Sequence, residues 1–203
     1  MATAMRFTQP NQWLAGQVLF AYTVLQILVR RFDSGSGLQN LNSLSMTISI
    51  KIAEKRDIDA IVKLNSFVQA IHSANVPEIF HSSVDQSGLR KLVSEIVEAE
   101  ASIVLLAMER REPLGYLWGE TIERKEGLFS KANRFFYVHH IVVEPEARRK
   151  GIASSLFNEL ESHLVSQKTG KLVLDSWSFN EEAHRFFESL DFKAQTTKFS
   201  KAV

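Results

Sequence analysis

Apolar and polar residues alternate from Thr47 to Ala53 ("TISIKIA"), the spacing of a half-buried strand. After Asp57 the period changes. Ile58, Ile61, Val62, Leu64, Val68 and Ile71 fall on one broad helical face, with Asp57 as candidate N-cap and Pro77 beyond the end. Leu89, Leu92, Val93, Ile96 and Val97 predict a second helix near Val84 to Glu100. "SIVLLAM" (Ser102 to Met108) predicts a buried strand, Pro113 and Gly115 punctuate a turn, and Leu114 to Ile122 predicts the returning strand of a hairpin. After a polar loop, Arg134 to Val143 is the longest strand candidate, rich in aromatic and β-branched residues. A helix follows from about Ile152 to Ser166, with Ile152, Leu156, Phe157, Leu160 and Leu164 facing in. Lys171 to Trp177 predicts a strand. Asn180 caps a last predicted helix, with Ala183, Phe186, Phe187 and Leu190 inward, and a short strand or hairpin ends the chain. Trp118 and Trp177 are expected in the core. The order β-α-α-β-β-β-α-β-α-β predicts a mixed α/β domain, with a right-handed parallel crossover between Tyr137 and Trp177.

The first 45 residues stand apart, so the expected division is an N-terminal extension over 1–45 and a folded domain over 46–203. The extension carries only four charges, Arg6, Arg30, Arg31 and Asp33, around an apolar run from Trp13 to Val29. Asp33 to Ser45 reads as a flexible linker. The run is at the short limit for a membrane span, ends on an arginine pair and lacks a small-x-small cleavage site. A membrane or surface helix, a signal peptide, and an extension upstream of a start at Met46 all stay open; any membrane contact would come through residues 13–29.

Composition narrows the functional classes. A formal net charge of +1 gives no global field toward nucleic acid, and none is expected as partner. The chain has no cysteine. That excludes disulfide frameworks, thiolate zinc sites and cysteine nucleophiles, and it suits a reducing, cytoplasmic setting. No histidine and carboxylate spacing predicts a metal site.

The chemistry concentrates at the corner "EPEARRKGIASS" between the long strand and the helix after it. A helix start presents free N–H groups and partial positive charge, which suit a phosphate. Gly151 and Ala153 let an anion approach the backbone, Ser154 and Ser155 add hydroxyl donors, and Arg148, Arg149 and Lys150 raise the potential. A plain turn with solvated basic residues is the competing reading. Neither a Walker loop nor a dinucleotide fingerprint fits.

Arg148-x-x-Gly151-x-Ala153, after a strand ending in Val-x-Pro, resembles the Arg/Gln-x-x-Gly-x-Gly/Ala signature of the GNAT superfamily of N-acetyltransferases. "NEEAHRFFESLDF" (Asn180 to Phe192) resembles its second motif, and "IAEKRDIDAIVKL" its opening strand and helix. The resemblance runs from Met46 onward. It implies a mixed, splayed sheet of six to seven strands flanked by about four helices, with acetyl-CoA as co-substrate between two parting strands. It implies that backbone N–H groups from Arg148 through Arg149, Lys150, Gly151, Ile152 and Ala153 to Ser154 hold the pyrophosphate. Ile141, Val142 and Val143 would lie along the pantetheine, Asn180 would face its thiol end and Phe187 would flank it. Two positions depart from the pattern. Phe187 stands where a tyrosine often protonates the leaving thiolate, and Asp191 replaces a glycine, which predicts a less tight turn.

Acetyl transfer requires removal of a proton from an amine that is mostly protonated at neutral pH. In "YVHHIVV", strict alternation puts Tyr137, His139 and Ile141 on one face and Val138, His140 and Val142 on the other, unless a bulge intervenes near Ile141. His139 resembles a histidine of the arylalkylamine acetyltransferase branch and is the first candidate for proton relay. Tyr137 is a candidate for positioning water, and Glu120 for base or amine binding, against packed or solvated roles for each. His72 and Phe80 lie where the family's acceptor cleft is lined; a helix-ending turn is the alternative. The acceptor is expected to be a small-molecule or protein amine, and a homodimer is an open assembly. A CoA-binding module without transfer, or transfer with another acyl donor or acceptor, are the rival functions.

Overall fold

The computed structural model describes residues 48–167 and 169–202. The expectations for the extension and linker therefore lie outside the described residues. Among the described residues no helix is long and apolar enough to cross a membrane.

Five strands form one sheet in sequential order: β1 (Ile48–Ile52), β2 (Ser102–Glu109), β3 (Glu112–Arg124), β4 (Asn133–Val143) and β5 (Leu172–Val173). The first four pair antiparallel and β5 joins β4 in parallel. Helices α1 (Ile58–Asn75) and α2 (Gln86–Glu98) follow β1, α3 (Ile152–Ser166) follows β4, and α4 (Glu181–Ser189) follows β5. The mixed α/β architecture matches the expectation, with five described strands in place of six or seven. The missing strand length is at the end. Lys171 to Trp177 pairs only through Leu172 and Val173, and residues 193–202 carry no strand.

Two layers cover the sheet. On one face Leu105, Leu117, Phe136, Val138, Ile141 and Val143 pack against Leu156, Phe157 and Leu160 of α3 and Ala183 and Phe187 of α4. On the other, Val104, Leu106, Tyr116 and Val142 meet Ile61, Leu64 and Val68 of α1 and Val93 of α2. Burying one such aliphatic side chain contributes roughly 1.5–3 kcal/mol, so both helix pairs are held by apolar area.

Caps set the helix starts. The Asp85 carboxylate accepts from the Ser87 and Gly88 N–H groups and opens α2. Asp57, expected to cap α1, does something else. Its carboxylate takes Lys51 Nζ at 2.7 Å and the Glu54 N–H at 2.9 Å, closing the 3-10 turn Lys55–Asp57 that leads into α1. Asn180 does cap α4, through Oδ1 to the Ala183 N–H. Asp191 adopts φ 63°, and the following Phe192 N–H closes on Phe187 O at 3.0 Å. The turn thus keeps the left-handed geometry a glycine would give, because aspartate tolerates that region, and the expectation of a looser turn is corrected.

Candidate active site

The site is built on an irregularity in β4. Trp118 of β3 pairs with His140, and the next residue, Gly119, pairs with Val138. His139 is therefore an extra residue, a one-residue bulge. It resets the alternation: Phe136 and Val138 before it, and Ile141 and Val143 after it, all face α3 and α4. His139 and His140 both turn to the opposite side and line a cavity under α1 and α2. The expected sharing of a face by His139 and Ile141 is corrected by this extra residue. Gly119 permits the close approach, since a Cβ there would stand 2.4 Å from the Phe136 ring and 2.5 Å from Tyr137 O.

His139 is 4% exposed and stacks on Trp118 at a centroid distance of 4.3 Å. Its Nε2 lies 2.9 Å from Glu120 Oε1. Glu120 is only half-buried, so a buried imidazole is joined to a carboxylate that reaches toward solvent. Trp118, expected in the core, packs half-buried against it and also walls the cavity.

His140 serves differently. Asn65 Nδ2 donates to Tyr116 Oη, and Tyr116 Oη lies 2.9 Å from His140 Nδ1. Burial pushes the Tyr116 pKa up, so the phenol keeps its proton. With Asn65 as donor, the O–H is left to donate to Nδ1, and the His140 proton sits on Nε2. Burial pushes the His140 pKa down to about 3, with His139 and His72 adding repulsion to a positive charge. His140 is thus a neutral, tethered ring.

Tyr137 pairs with Glu120 across β3 and, on its other edge, with Val173 of β5. The parallel ladder ends there and the two strands part. Beyond the parting, Asp175 accepts a hydrogen bond from Tyr137 Oη. Desolvation pushes the Asp175 carboxyl up, to about 6, although the residue keeps an exposed outer side. Sequence reading passed over Asp175, whose only signal was a carboxylate near the end of an apolar strand. The Glu144 N–H donates to Leu114 O at 2.8 Å. By alternation the N–H groups of Ile141 and Val143 point to the opposite edge, into the opening between β4 and β5.

At the end of β4, Pro145–Ala147 make a 3-10 turn and Gly151 occupies the N-cap of α3 with φ 76°. No side-chain oxygen caps this helix, and a Cβ on Gly151 would meet nothing within 4 Å. The corner is therefore an open cradle at a helix start, which fits a pyrophosphate. Arg148 is a latch within it: its N–H donates to Pro145 O at 3.3 Å and its Nε to Val143 O at 3.2 Å. Desolvation weakens the charged form of this half-buried arginine, with Glu182 acting in the opposite sense. Arg149 takes φ 66°, which curls the chain into the helix. Lys150 is exposed, Ile152 and Ala153 are buried, and Ser154 is half-buried.

Phe187 lies in an aromatic cluster with Phe157, Phe186 and Phe192 and is 4% exposed. The His72 and Phe80 rings meet at 4.7 Å, tilted by 34°, and both line the cavity under α1 and α2. The structure thus brings His139, His140, His72 and Phe80 to one cavity, while Tyr137 and Asp175 meet at the strand opening.

A model of the acetyltransferase (GNAT) family matches residues 66–192. The chain belongs to that family. No curated protein matches it. Solved structures agree on the fold. A tetramutant of a Bacillus halodurans protein is 23% identical, with TM-score 0.70, over 76% of this chain and 99% of that one. An aminoglycoside acetyltransferase from an uncultured soil metagenomic sample, solved with sisomicin, is 16% identical, with TM-score 0.57, over 77% and 96%. A protein described as a predicted acetyltransferase, from Clostridium acetobutylicum and solved with acetyl-CoA, is 16% identical, with TM-score 0.59, over 77% and 96%.

Proposed function

We propose that the protein transfers the acetyl group of acetyl-CoA to a primary amine by direct attack of the amine on the thioester. The bulge at His139 carries this reading. It turns a buried imidazole joined to Glu120 into the cavity, while the main chain beside it opens toward the gap between β4 and β5. The cradle at Gly151 would hold the CoA pyrophosphate through backbone N–H groups from Arg149 to Ser154, one residue later than the expected start at Arg148, whose N–H donates to Pro145 O, and the Ile141 and Val143 N–H groups would meet the pantetheine and the thioester oxygen. Asn180 and Phe187 would border the thiol arm.

The attacking amine must shed protons. With Nε2–H donated to Glu120, His139 Nδ1 is its basic nitrogen, and a proton taken there passes by way of Glu120 to solvent. Phe187 cannot protonate the departing thiolate. Tyr137, hydrogen-bonded to Asp175 at the strand opening, is the candidate acid. A thiol pKa near 8.5 also lets the thiolate leave unprotonated.

CoA release with a panel of amines tests the reading, beside Gly151→Glu. The glutamate fills the open cradle, strains a φ of 76° and sets a negative charge beside the pyrophosphate. CoA affinity is expected to fall at least a hundredfold with the fold intact by circular dichroism. Unchanged affinity would remove the pyrophosphate assignment, and tight CoA binding without turnover on any amine would favour a binding module.

A further inference from the structure

The hairpin of β3 and β4 outgrows the sheet. Pairing of β2 with β3 ends at Glu120, and pairing of β5 with β4 begins at Phe136, while β3 and β4 pair with each other out to Arg124 and Asn133. From Ile122 to Phe135 the two strands therefore run on as an arm that no third strand joins. It ends in the turn Gly127–Ser130, closed by the Gly127 N–H on Ser130 O at 2.8 Å.

The two central residues of this turn are Leu128 and Phe129, 91% and 97% exposed. The turn itself does not ask for them. Neither takes a positive φ, and glycine, asparagine, aspartate and serine ordinarily fill such a place. A single exposed apolar side chain is common. Two large neighbours with nearly their whole surface in water, at the end of an arm, mark a surface made to be covered.

The form of the tip decides what covers it. A stable protein–protein interface buries about 1,200–2,000 Å² around a closely fitted centre, and two side chains on a convex turn supply on the order of 400 Å². A bilayer needs no fitted pocket, since apolar side chains enter its headgroup–acyl boundary as they stand. The charges agree. Around the apolar pair stand Arg124, Lys125 and Lys131 against the carboxylate of Glu126, all four exposed. Arg134 is engaged by Glu123 at 3.2 Å, so that pair adds no net charge. Apolar side chains flanked by lysines suit a surface of anionic headgroups.

We propose that the β3–β4 tip docks on a bilayer that carries anionic phospholipid, with Leu128 and Phe129 in the acyl boundary and Lys125 and Lys131 on the headgroups. The sequence alone points only to residues 13–29 for membrane contact. The tip is a second surface, on the folded domain, and it does not rest on the acetyl-transfer reading.

The chain has no cysteine, so Ser130→Cys gives one labelling point beside the tip. The full chain, labelled there with an environment-sensitive fluorophore, is mixed with phosphatidylcholine vesicles with and without about a third phosphatidylserine. With phosphatidylserine the emission is expected to shift to the blue and to be quenched by bromine on the acyl chains. When Leu128→Ser and Phe129→Ser are added to the labelled chain, the shift vanishes or needs at least tenfold more lipid. With Lys125→Glu and Lys131→Glu added instead, it needs about tenfold more lipid on the anionic vesicles, as it does for the unaltered tip in raised salt. CoA affinity and circular dichroism stay unchanged in both. Sedimentation with vesicles while the fluorophore stays in water means that residues 13–29 bind alone, and overturns the inference. A blue shift without vesicles that grows with protein concentration shows a second copy on the tip, and overturns it too. Equal shifts on the two kinds of vesicle remove the charge complementarity on which it stands.

Discussion

The two faces of the sheet are made from the same five strands but hold different things. Toward α3 and α4 the buried side chains of the sheet are apolar, with Leu105, Leu117, Phe136, Leu156 and Leu160 all inaccessible to solvent, and the buried polar residues Thr169 and Asn180 stand beyond the strands, after α3 and at the cap of α4. Toward α1 and α2 an apolar cluster coexists with a cavity, with buried His72 and His139, and with the pair of buried Tyr116 and half-buried His140. One face fixes the frame from which the Gly151 corner, the proposed CoA cradle, is hung. The other accepts weaker packing and buried polar groups, the usual cost of a functional site, and it is the face on which the proposed chemistry is placed.

The same truncation on the two faces separates these roles most sharply. Leu156→Ala removes a side chain with no accessible surface from the α3 layer. It is expected to cost about 2–5 kcal/mol in urea unfolding. Leu92→Ala, at the cavity edge, is expected to stay within about 0.5 kcal/mol. Equal losses would mean that the α1–α2 layer is packed as tightly as the other, and the contrast would fail.

A second break concerns chemistry. His139→Ala is expected to lower kcat about a hundredfold, the scale of a general base. The optimum should also move to higher pH, because free amine must then come from solution, where its pKa is near 10.4. An unchanged pH–rate profile would remove the relay role and leave His139 a packed ring.

Sequence periodicity was most informative where one element follows another locally. The strand, basic corner and helix from Arg134 to Ser166 and the Asn180 cap depend on neighbours in the chain, and the pattern carries them. The bulge depends on the register between β3 and β4, which no local pattern sets. A trace was present: core residues Val138 and Ile141 stand three apart where a regular strand requires two, opposite a glycine that admits close backbone approach. Asp175 was hidden for a related reason. "KLVLDSW" has the composition of a strand throughout, and composition does not tell where two parallel strands separate. Asp57 has the residue type and place of a cap by sequence, yet a lysine on the preceding strand, Lys51, holds its carboxylate elsewhere.

The polar face should also give the protein its acid sensitivity. His140 has an ordinary pKa of 6.5 in an unfolded chain and about 3 in the fold, lowered first by burial and then by His139 and His72. Below pH 6.5 the unfolded chain gains a proton there that the folded chain refuses, so stability rises with pH through this window. The contribution is whole above about pH 6.5 and is lost progressively as pH falls toward 3. By pH 5 the loss from this one ring is on the order of 2 kcal/mol. His140→Gln removes the titration and keeps an oxygen to accept the Tyr116 O–H. Its unfolding free energy, measured between pH 7 and 5, should therefore fall less steeply than that of the unaltered protein, by about that amount. Parallel pH curves for the two would show that this half-buried ring does not govern the response, and would place acid sensitivity outside the face of the proposed chemistry.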